Sequence, residues 1–470
     1  MDGLASTLGF IAGFFPPDLS PAYLLALAGP VLETLGMTFG AMLLASVLSL
    51  PVGLYLGLGG PGAGVVRAVL SGVRAIPDLT LAILCVIFFG IGPGAGLTAI
   101  AVFYTAAMSK NFGDLFATAP PGPVAALRAT GARPVAVALY ALVPLKSRDL
   151  LTYASYEVEC ALRASVIIGA VGGGGLGAEL VGTLNAFDFQ RSTTLILVLI
   201  VLVAAIDQIT LRLRARPVWL LALVPPSALA LWLYLPAAPG LGFALQTVGG
   251  MFPPQLDAGD WAALPALIWE TVRIAVLGTA LGAALALPMG LASTRGLSPA
   301  ILAVPVRRLL EALRAVPEVV FGLILVATAG VGPTAGILAL GLHSGGCLGR
   351  LFAESFENVR PGPVQAVAAT GARPLTVAAY ATAPLALGPL AVHTLFRLEW
   401  NLRQATVVGM IGAGGIGQAL FQAQQLFFYQ KMMAYLLITW VLVLLVDRAS
   451  AWTRRRAGWM ELAPEEMAAG

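Results

Sequence analysis

The chain has 470 residues, 59% of them hydrophobic and only 11% charged, with a formal net charge of +4 and a mean hydropathy of +0.89. An ordinary globular protein carries about 25% charged residues, so this composition excludes a string of soluble domains, and the scarcity of charge excludes a disordered chain. What remains is a protein of membrane-spanning helices, a medium in which 54 Gly and 32 Pro are tolerated because neighbouring helices satisfy the backbone groups they leave free.

At the start of the chain, Met1-Asp2 lacks a basic region, and the apolar stretch from Leu4 to Phe15 runs into Pro16-Pro17 without a small-residue cleavage pattern, so no signal peptide is expected. Apolar runs then predict spans near 34–58, 75–90, 93–109, 146–170, 193–211, 218–235, 266–292, 315–330, 333–349, 386–411 and 432–449, eleven in all. No positive residue precedes Arg67. Arg67 and Arg74, Lys110 with Arg128 and Arg133, Arg212 to Arg216, Arg295 to Arg308, Arg350 to Arg373 and Arg454-Arg455-Arg456 all fall on one side, which predicts an extracytoplasmic N-terminus and a cytoplasmic C-terminus. Arg191 and Lys431 are the exceptions. Cys85, Cys160 and Cys347 have no paired spacing, so neither a disulfide framework nor a zinc site is indicated.

The sequence also aligns with itself. Phe15-Pro16-Pro17 matches Phe252-Pro253-Pro254, Glu33-Thr34 matches Glu270-Thr271 and Pro51 matches Pro288 at an offset of 237; from Arg74-Ala75-Ile76-Pro77-Asp78 against Arg314-Ala315-Val316-Pro317-Glu318 the offset is 240. That register holds through Gly90/Gly330, Lys110/Arg350, Pro121-Gly122-Pro123/Pro361-Gly362-Pro363, Arg163/Arg403 and Gly177/Gly417. Loop chemistry kept at a fixed offset marks a duplication, not merely shared apolarity. Five spans per copy is an odd number, so span 218–235, which has no partner in copy one, is the helix that restores parallel orientation. The expected organisation is a first repeat over 1–214, a linker with this orienting helix over 215–262, a second repeat over 263–456 and a cytoplasmic tail over 457–470.

Between the third and fourth spans of each copy lies a short helix. Pro123 and Pro363 suit its first position, Ala125-Ala126-Leu127-Arg128-Ala129 and Gln365-Ala366-Val367-Ala368-Ala369 favour helix, Gly131 and Gly371 suit a left-handed cap, and Pro134 and Pro374 block continuation. An amphipathic connector at the inner surface would need no more. Yet Gly is followed thirteen residues later by Pro in both copies, at Gly131/Pro144 and Gly371/Pro384. This pattern resembles the EAA loop, E-A-A-x3-G-x9-I-x-L-P, of permease subunits in binding-protein-dependent ABC importers. In that family the loop forms the coupling helix that docks into a groove of the ATPase subunit. The resemblance carries this role to Ala125, Ala126, Leu127, Gly131 and Pro144 and to Gln365, Ala366, Val367, Gly371 and Pro384. The Glu position of the pattern holds Ala125 in one copy and Gln365 in the other, so a contact through that carboxylate is lost.

The next span is charged. Glu159/Arg163 and Glu399/Arg403 are i,i+4 pairs at equivalent positions, and His393 and Arg397 add polar groups to copy two. Such pairs either fix helix packing as buried salt bridges or face a pathway. The functional alternative makes Glu159, Arg163, His393, Arg397, Glu399 and Arg403 a substrate path, in which arginines present a planar fork to oxyanion oxygens and Glu159 and Glu399 hold Arg163 and Arg403 in place. Beyond it, Gly172 to Gly177 and Gly412 to Gly417 each satisfy G-x-G-x-x-G, but follow a membrane helix instead of a strand, so a dinucleotide site is not expected. Gly172, Gly174, Gly177, Gly412, Gly414 and Gly417 are read as a close-packed turn at an outer gate.

The run from Arg397 to Gly417, with Gly349 to Glu357 and the Ala-Thr-Gly-Ala segment, is similar to the permease of phosphonate ABC importers over nearly all of copy two and, more weakly, over copy one. The resemblance implies an all-α, polytopic membrane protein of two parallel, MetI-like five-helix repeats that supplies both membrane halves of an importer for phosphonate, phosphite or phosphate. It implies two ATPase subunits and an extracytoplasmic solute-binding protein as partners, membrane lipid around it and no nucleic acid. There is no G-x-x-x-x-G-K-[ST], so ATP is used by the partner and this chain carries no cofactor. No hydrolytic constellation is evident, His343 and His393 are too isolated for a metal, and His343 is read as a packing residue. A methionine or other small-solute permease, an ion-coupled transporter relaying protons through Glu159 and Glu399, and a membrane redox enzyme are the alternatives.

Overall fold

A computed structural model describes residues 13, 16–215, 221–236 and 241–457. Phe15, Arg216 and all but the first residue of the 457–470 tail lie outside the described residues. The chain forms two compact units, Leu8–Thr247 and Val248–Gly470, which meet inside the expected linker. Their regular structure is helical, with an isolated β-bridge between Arg295 and Ser298.

In the first unit α1 (Ala28–Gly57), α2 (Ala63–Ala75), α3 (Asp78–Phe89), α4 (Pro93–Ala117), α5 (Pro121–Ala129), α6 (Val143–Ile168), α7 (Gly175–Asn185) and α8 (Phe189–Ala215) follow one another, then α9 (Val224–Tyr234); α10 (Leu241–Met251) contains the boundary. The second unit repeats the first eight as α11 (Ala258–Ser293), α12 (Ala300–Ala315), α13 (Glu318–Ala329), α14 (Pro333–Glu357), α15 (Pro361–Ala368), α16 (Ala383–Val408), α17 (Gly415–Gln425) and α18 (Tyr429–Arg456). The duplication read from loop residues is therefore a duplication of helices.

The span count differs from the eleven expected. Among the described residues six helices are long and apolar enough to cross a membrane, or eight if each bent pair is one span. Besides the shortness of Leu221–Tyr234, two physical causes account for the difference. Extended Ile76 and Pro77 break the chain between α2 and α3, which meet at 86°, and leave α3 only 12 residues long. At 1.5 Å per residue such a helix reaches ~18 Å, short of a hydrocarbon core of ~30 Å. By contrast α4 has 25 residues but is rich in Gly, Ala and Thr, and much of it is buried against protein, so it has no need of a lipid-facing apolar surface.

Small residues let the helices approach closely. Gly53 and Gly57 of α1 lie against Phe112 and Phe116 of α4, and in the second unit Gly278 and Gly282 of α11 lie against Leu340 and Ser344 of α14. Both are Gly-x-x-x-Gly steps, one helical turn apart on one face. A third, Gly36 and Gly40 on α1, receives Tyr234 and Leu231 of α9. The helical stretch Leu221–Tyr234 is shorter than a span and is docked on α1.

The two exceptions to the positive-charge pattern stand at equivalent positions, and both have acidic partners. Arg191 pairs with Asp18 at 3.3 Å and Asp188 at 3.5 Å, and Lys431 pairs with Asp260 at 2.6 Å. Hydrogen bonds from Ser20, and then the Arg191 charge, hold the Asp18 carboxyl below its ordinary range. Neutralised cations at this end leave the asymmetry of the other loops intact.

Candidate functional site

The glycine runs terminate α6 and α16. The backbone widens over Gly169–Gly173 and Gly409–Ala413, turns at Gly172 (φ +107°) and Gly412 (φ +113°), and restarts as α7 and α17. A restarted helix exposes N–H groups with no partner in its own turns. Here the partners come from α1 and α11. The Glu33 carboxylate accepts from Gly175 N–H at 2.9 Å and the Thr34 hydroxyl from Leu176 N–H at 2.9 Å; Glu270 and Thr271 do the same for Gly415 and Ile416 at 2.8 and 2.9 Å. Carboxylates at these ends also complement the helix dipole. Glu33-Thr34 and Glu270-Thr271, which in the sequence are only landmarks of the repeat, are thus the caps of the broken helices. Replacing Thr271, 1% exposed, by the near-isosteric Val leaves the Ile416 N–H unpaired. Melting of the solubilised protein should show a loss of about 1–3 kcal/mol.

On α6 the expected pair forms: Arg163 donates to Glu159. On α16 it does not. Arg403 donates to Asp447 of α18 at 2.8 Å, and Glu399 accepts from Arg454 of α18 at 2.5 Å. Helical spacing placed Glu399 and Arg403 on one face, but that face packs on α18, whose own acid and base offer closer partners. Glu399 therefore does not hold Arg403. Arg454, read from sequence as one of three loop arginines, is only 9% exposed, donates to Ser450 at 2.5 Å and lies 4.1 Å from the centre of the Phe396 ring. Asp207 and Arg214 stand 240 residues before Asp447 and Arg454, a duplicated signal that would have exposed both partners.

A polar cluster in the second unit was not anticipated. Asn401 of α16 donates to Thr279 of α11 and Ser344 of α14, both at 2.9 Å, and Arg397 Nε donates to the same Ser344 hydroxyl at 2.9 Å. Beside it Glu318, 4% exposed at the start of α13, accepts from Trp400 at 3.4 Å and lies 3.3 Å from His343 Nε2. His343 Nδ1 is 2.8 Å from the Val316 carbonyl, so this residue is engaged through both ring nitrogens. His393 is half-buried on α16. At the equivalent places of the first unit, Glu157 stands where Arg397 does and accepts from Tyr153, which in turn accepts from Asn111.

The short helices begin two residues earlier than expected, at Pro121 and Pro361, with Pro123 and Pro363 in the first turn, where no N–H is needed. Gly131 (φ +79°) and Gly371 (φ +77°) adopt the anticipated left-handed conformation. Both helices have the same exposure: Val124 with Leu127, and Val364 with Val367, are half-buried, while Ala125, Ala126, Gln365 and Ala366 are exposed. Tyr140 and Tyr380 just beyond are 78% and 77% exposed. Two copies of one surface are presented, one per unit.

Comparison with known proteins finds the same duplication. The family described as binding-protein-dependent transport system inner membrane component matches twice, over residues 49–217 and 285–458. The phosphate-import permease protein PhnE of Mycolicibacterium smegmatis is 30% identical over 97% of this chain and 90% of its own length. The phosphite transport system permease protein PtxC of Stutzerimonas stutzeri is 39% identical over 45% of this chain and 77% of its own. Among solved structures, an inward-facing form of the MetNI methionine ABC transporter is 22% identical, with a TM-score of 0.40, over 43% of this chain and 99% of that one.

Proposed function

The chain belongs to the family of binding-protein-dependent transport system inner membrane components, and from that premise we propose that it is the permease of an ATP-driven importer for a phosphorus oxyanion, phosphonate, phosphite or phosphate. The observation that carries this reading is the double match to the family in one chain, together with the resemblance to a phosphate-import permease along almost its whole length. One chain then supplies both membrane halves. The exposed helices α5 and α15, with Gly131, Pro144, Gly371 and Pro384 behind them, receive a pair of ATPase subunits. A solute-binding protein delivers the anion at the opposite face. Loops rich in Lys and Arg lie in the cytoplasm, with the C-terminus.

Within each unit the anion moves along the polar face of α6 or α16, past Glu159 and Arg163 in one and His393, Arg397, Glu399 and Arg403 in the other. The glycine breaks at 172–177 and 412–417 form the outer gate. Carboxylates tied into ion pairs, as Glu159 and Glu399 are, make poor proton carriers, which counts against an ion-coupled mechanism. Vesicles holding the permease with its ATPase should take up labelled phosphate, phosphite or methylphosphonate only when ATP is inside and the loaded binding protein is outside. Uptake that survives ATP depletion and collapses with a protonophore would overturn the reading.

A further inference from the structure

We infer that the anion-contacting residue of this permease is Arg397, supplied by the second unit alone, and that Arg163 and Arg403 are held for packing. The inference rests on the proposed function and names the residue that carries its selectivity.

Four arginines lie on α6 and α16; Arg148, near the start of α6, is exposed, and the other three are not alike. Arg163 is paired with Glu159 and Arg403 with Asp447. Arg397 is fastened through one nitrogen only, with Nε on Ser344, and Ser344 and Asn401 are themselves fully buried. Its Nη2 has neither solvent contact nor a hydrogen-bond partner. A charged donor left in that state costs free energy, and a membrane span retains one where a ligand completes it. Arg403 Nε and, on α11, Arg273 Nε are also unpartnered, but a carboxylate already neutralises Arg403, and among the described residues no hydrogen bond holds the Arg273 guanidinium in a fixed plane as Ser344 holds that of Arg397.

The surroundings hold the fork without consuming it. The chain from Thr279 through Asn401 to Ser344 fixes the plane of the guanidinium from two other helices, α11 and α14. Glu318 interacts electrostatically with Arg397, yet its oxygens are engaged by Trp400 and His343. His343 is held in turn by the Val316 carbonyl 2.8 Å from Nδ1, with Glu318 at 3.3 Å and the Cys347 sulfur at 3.5 Å from Nε2. The ligand class that fits is a tetrahedral phosphorus oxyanion taking a directional N–H bond from a planar cation. Glu318 moderates the attraction, which suits a transit site, since a carried anion must also leave.

The first unit cannot provide the same contact. Its equivalent residue is Glu157, a carboxyl group engaged by Tyr153 that offers no guanidinium fork to an anion. The two halves, though built alike, divide the labour.

Uptake by vesicles containing the complete complex, at saturating binding protein, tests this. Arg397→Gln should lower phosphate and methylphosphonate uptake by about tenfold or more. Arg397→Lys, which keeps the charge but not the fork, should raise the concentration for half-maximal uptake and change the order of preference among phosphate, phosphite and methylphosphonate. Glu157→Gln should leave uptake within about twofold of the parent, as expected for a group that meets no ligand. If Arg397→Gln melts like the parent and still transports at the parental rate, or if Arg397→Lys leaves both half-saturation and preference unchanged, the assignment falls while the proposed function stands. If the parent complex takes up none of the three anions, the proposed function falls and the assignment with it.

Discussion

Gly417→Ala should abolish the folded permease, although it adds a single methyl group. A Cβ at this position would lie 2.0 Å from the Thr406 carbonyl oxygen and 3.1 Å from the Met410 nitrogen. Both atoms are backbone, and they belong to the turn by which α16 ends and α17 begins, so no side chain can swing aside to make room. Gly177 is the twin, with a Cβ placed 2.1 Å from the Val166 carbonyl. Overpacking in a well-filled core costs about 1–3 kcal/mol where side chains can yield, and a clash against backbone exceeds that. Gly182→Ala is the control. It lies on α7 with nothing within 4 Å of its Cβ, and Ala in a helix is favoured over Gly by up to ~1 kcal/mol. Expression followed by size-exclusion chromatography in detergent should give a monodisperse peak for Gly182→Ala and aggregate for Gly417→Ala. A monodisperse, transporting Gly417→Ala would show that the break is more pliable than its packing indicates.

The position of that break was legible in the sequence because the glycine-rich run is repeated intact at an offset of 240, and close packing of backbone is a use of glycine that leaves a mark. The capping role of Glu33-Thr34 and Glu270-Thr271 was not legible. Each pair is more than 140 residues from the N–H groups it serves, and periodicity along a helix carries no information on which distant segment approaches it. The same limit misled the reading of Glu399 and Arg403. A spacing of four correctly placed them on one helix face, but helical spacing is blind to α18, which brings Asp447 and Arg454 to that face. The Glu318, His343 and Arg397 cluster is assembled from three helices and had no local pattern to reveal it. Spans were over-counted for a different reason: a window of apolar residues does not register the bend at Ile76-Pro77, where two short helices at 86° replace straight passages.

Reversing the pair between α16 and α18 separates a packing role from a transport role. Arg403 and Asp447 have side chains 14% and 30% exposed, so either charge left alone is substantially desolvated. Arg403→Asp places two carboxylates together, and Asp447→Arg two guanidinium groups. Removing one partner of a buried pair costs about 3–5 kcal/mol, and facing like charges adds to it. Each single variant should therefore melt well below the parent or fail to be recovered from the membrane. The double variant, Arg403→Asp with Asp447→Arg, restores opposite charges across the same interface and should regain most of the loss, a coupling that a double-mutant cycle measures directly. Uptake by the recovered double variant then decides the role. If Arg403 serves packing, swapped charges transport phosphate, because the anion meets Arg397 and not this pair. If the double variant folds but fails to transport, the sign of charge on α16 at position 403 matters to the anion itself, and the path extends nearly two helical turns, about 9 Å, beyond Arg397. The neighbouring pair predicts the same pattern with the polarity inverted, since there α16 contributes the acid, Glu399, and α18 the base, Arg454. Two oppositely directed ion pairs leave almost no net charge between α16 and α18, so a passing anion is neither trapped nor repelled by them, and selection falls to Arg397, a guanidinium held by Ser344 with its Nη2 unpartnered.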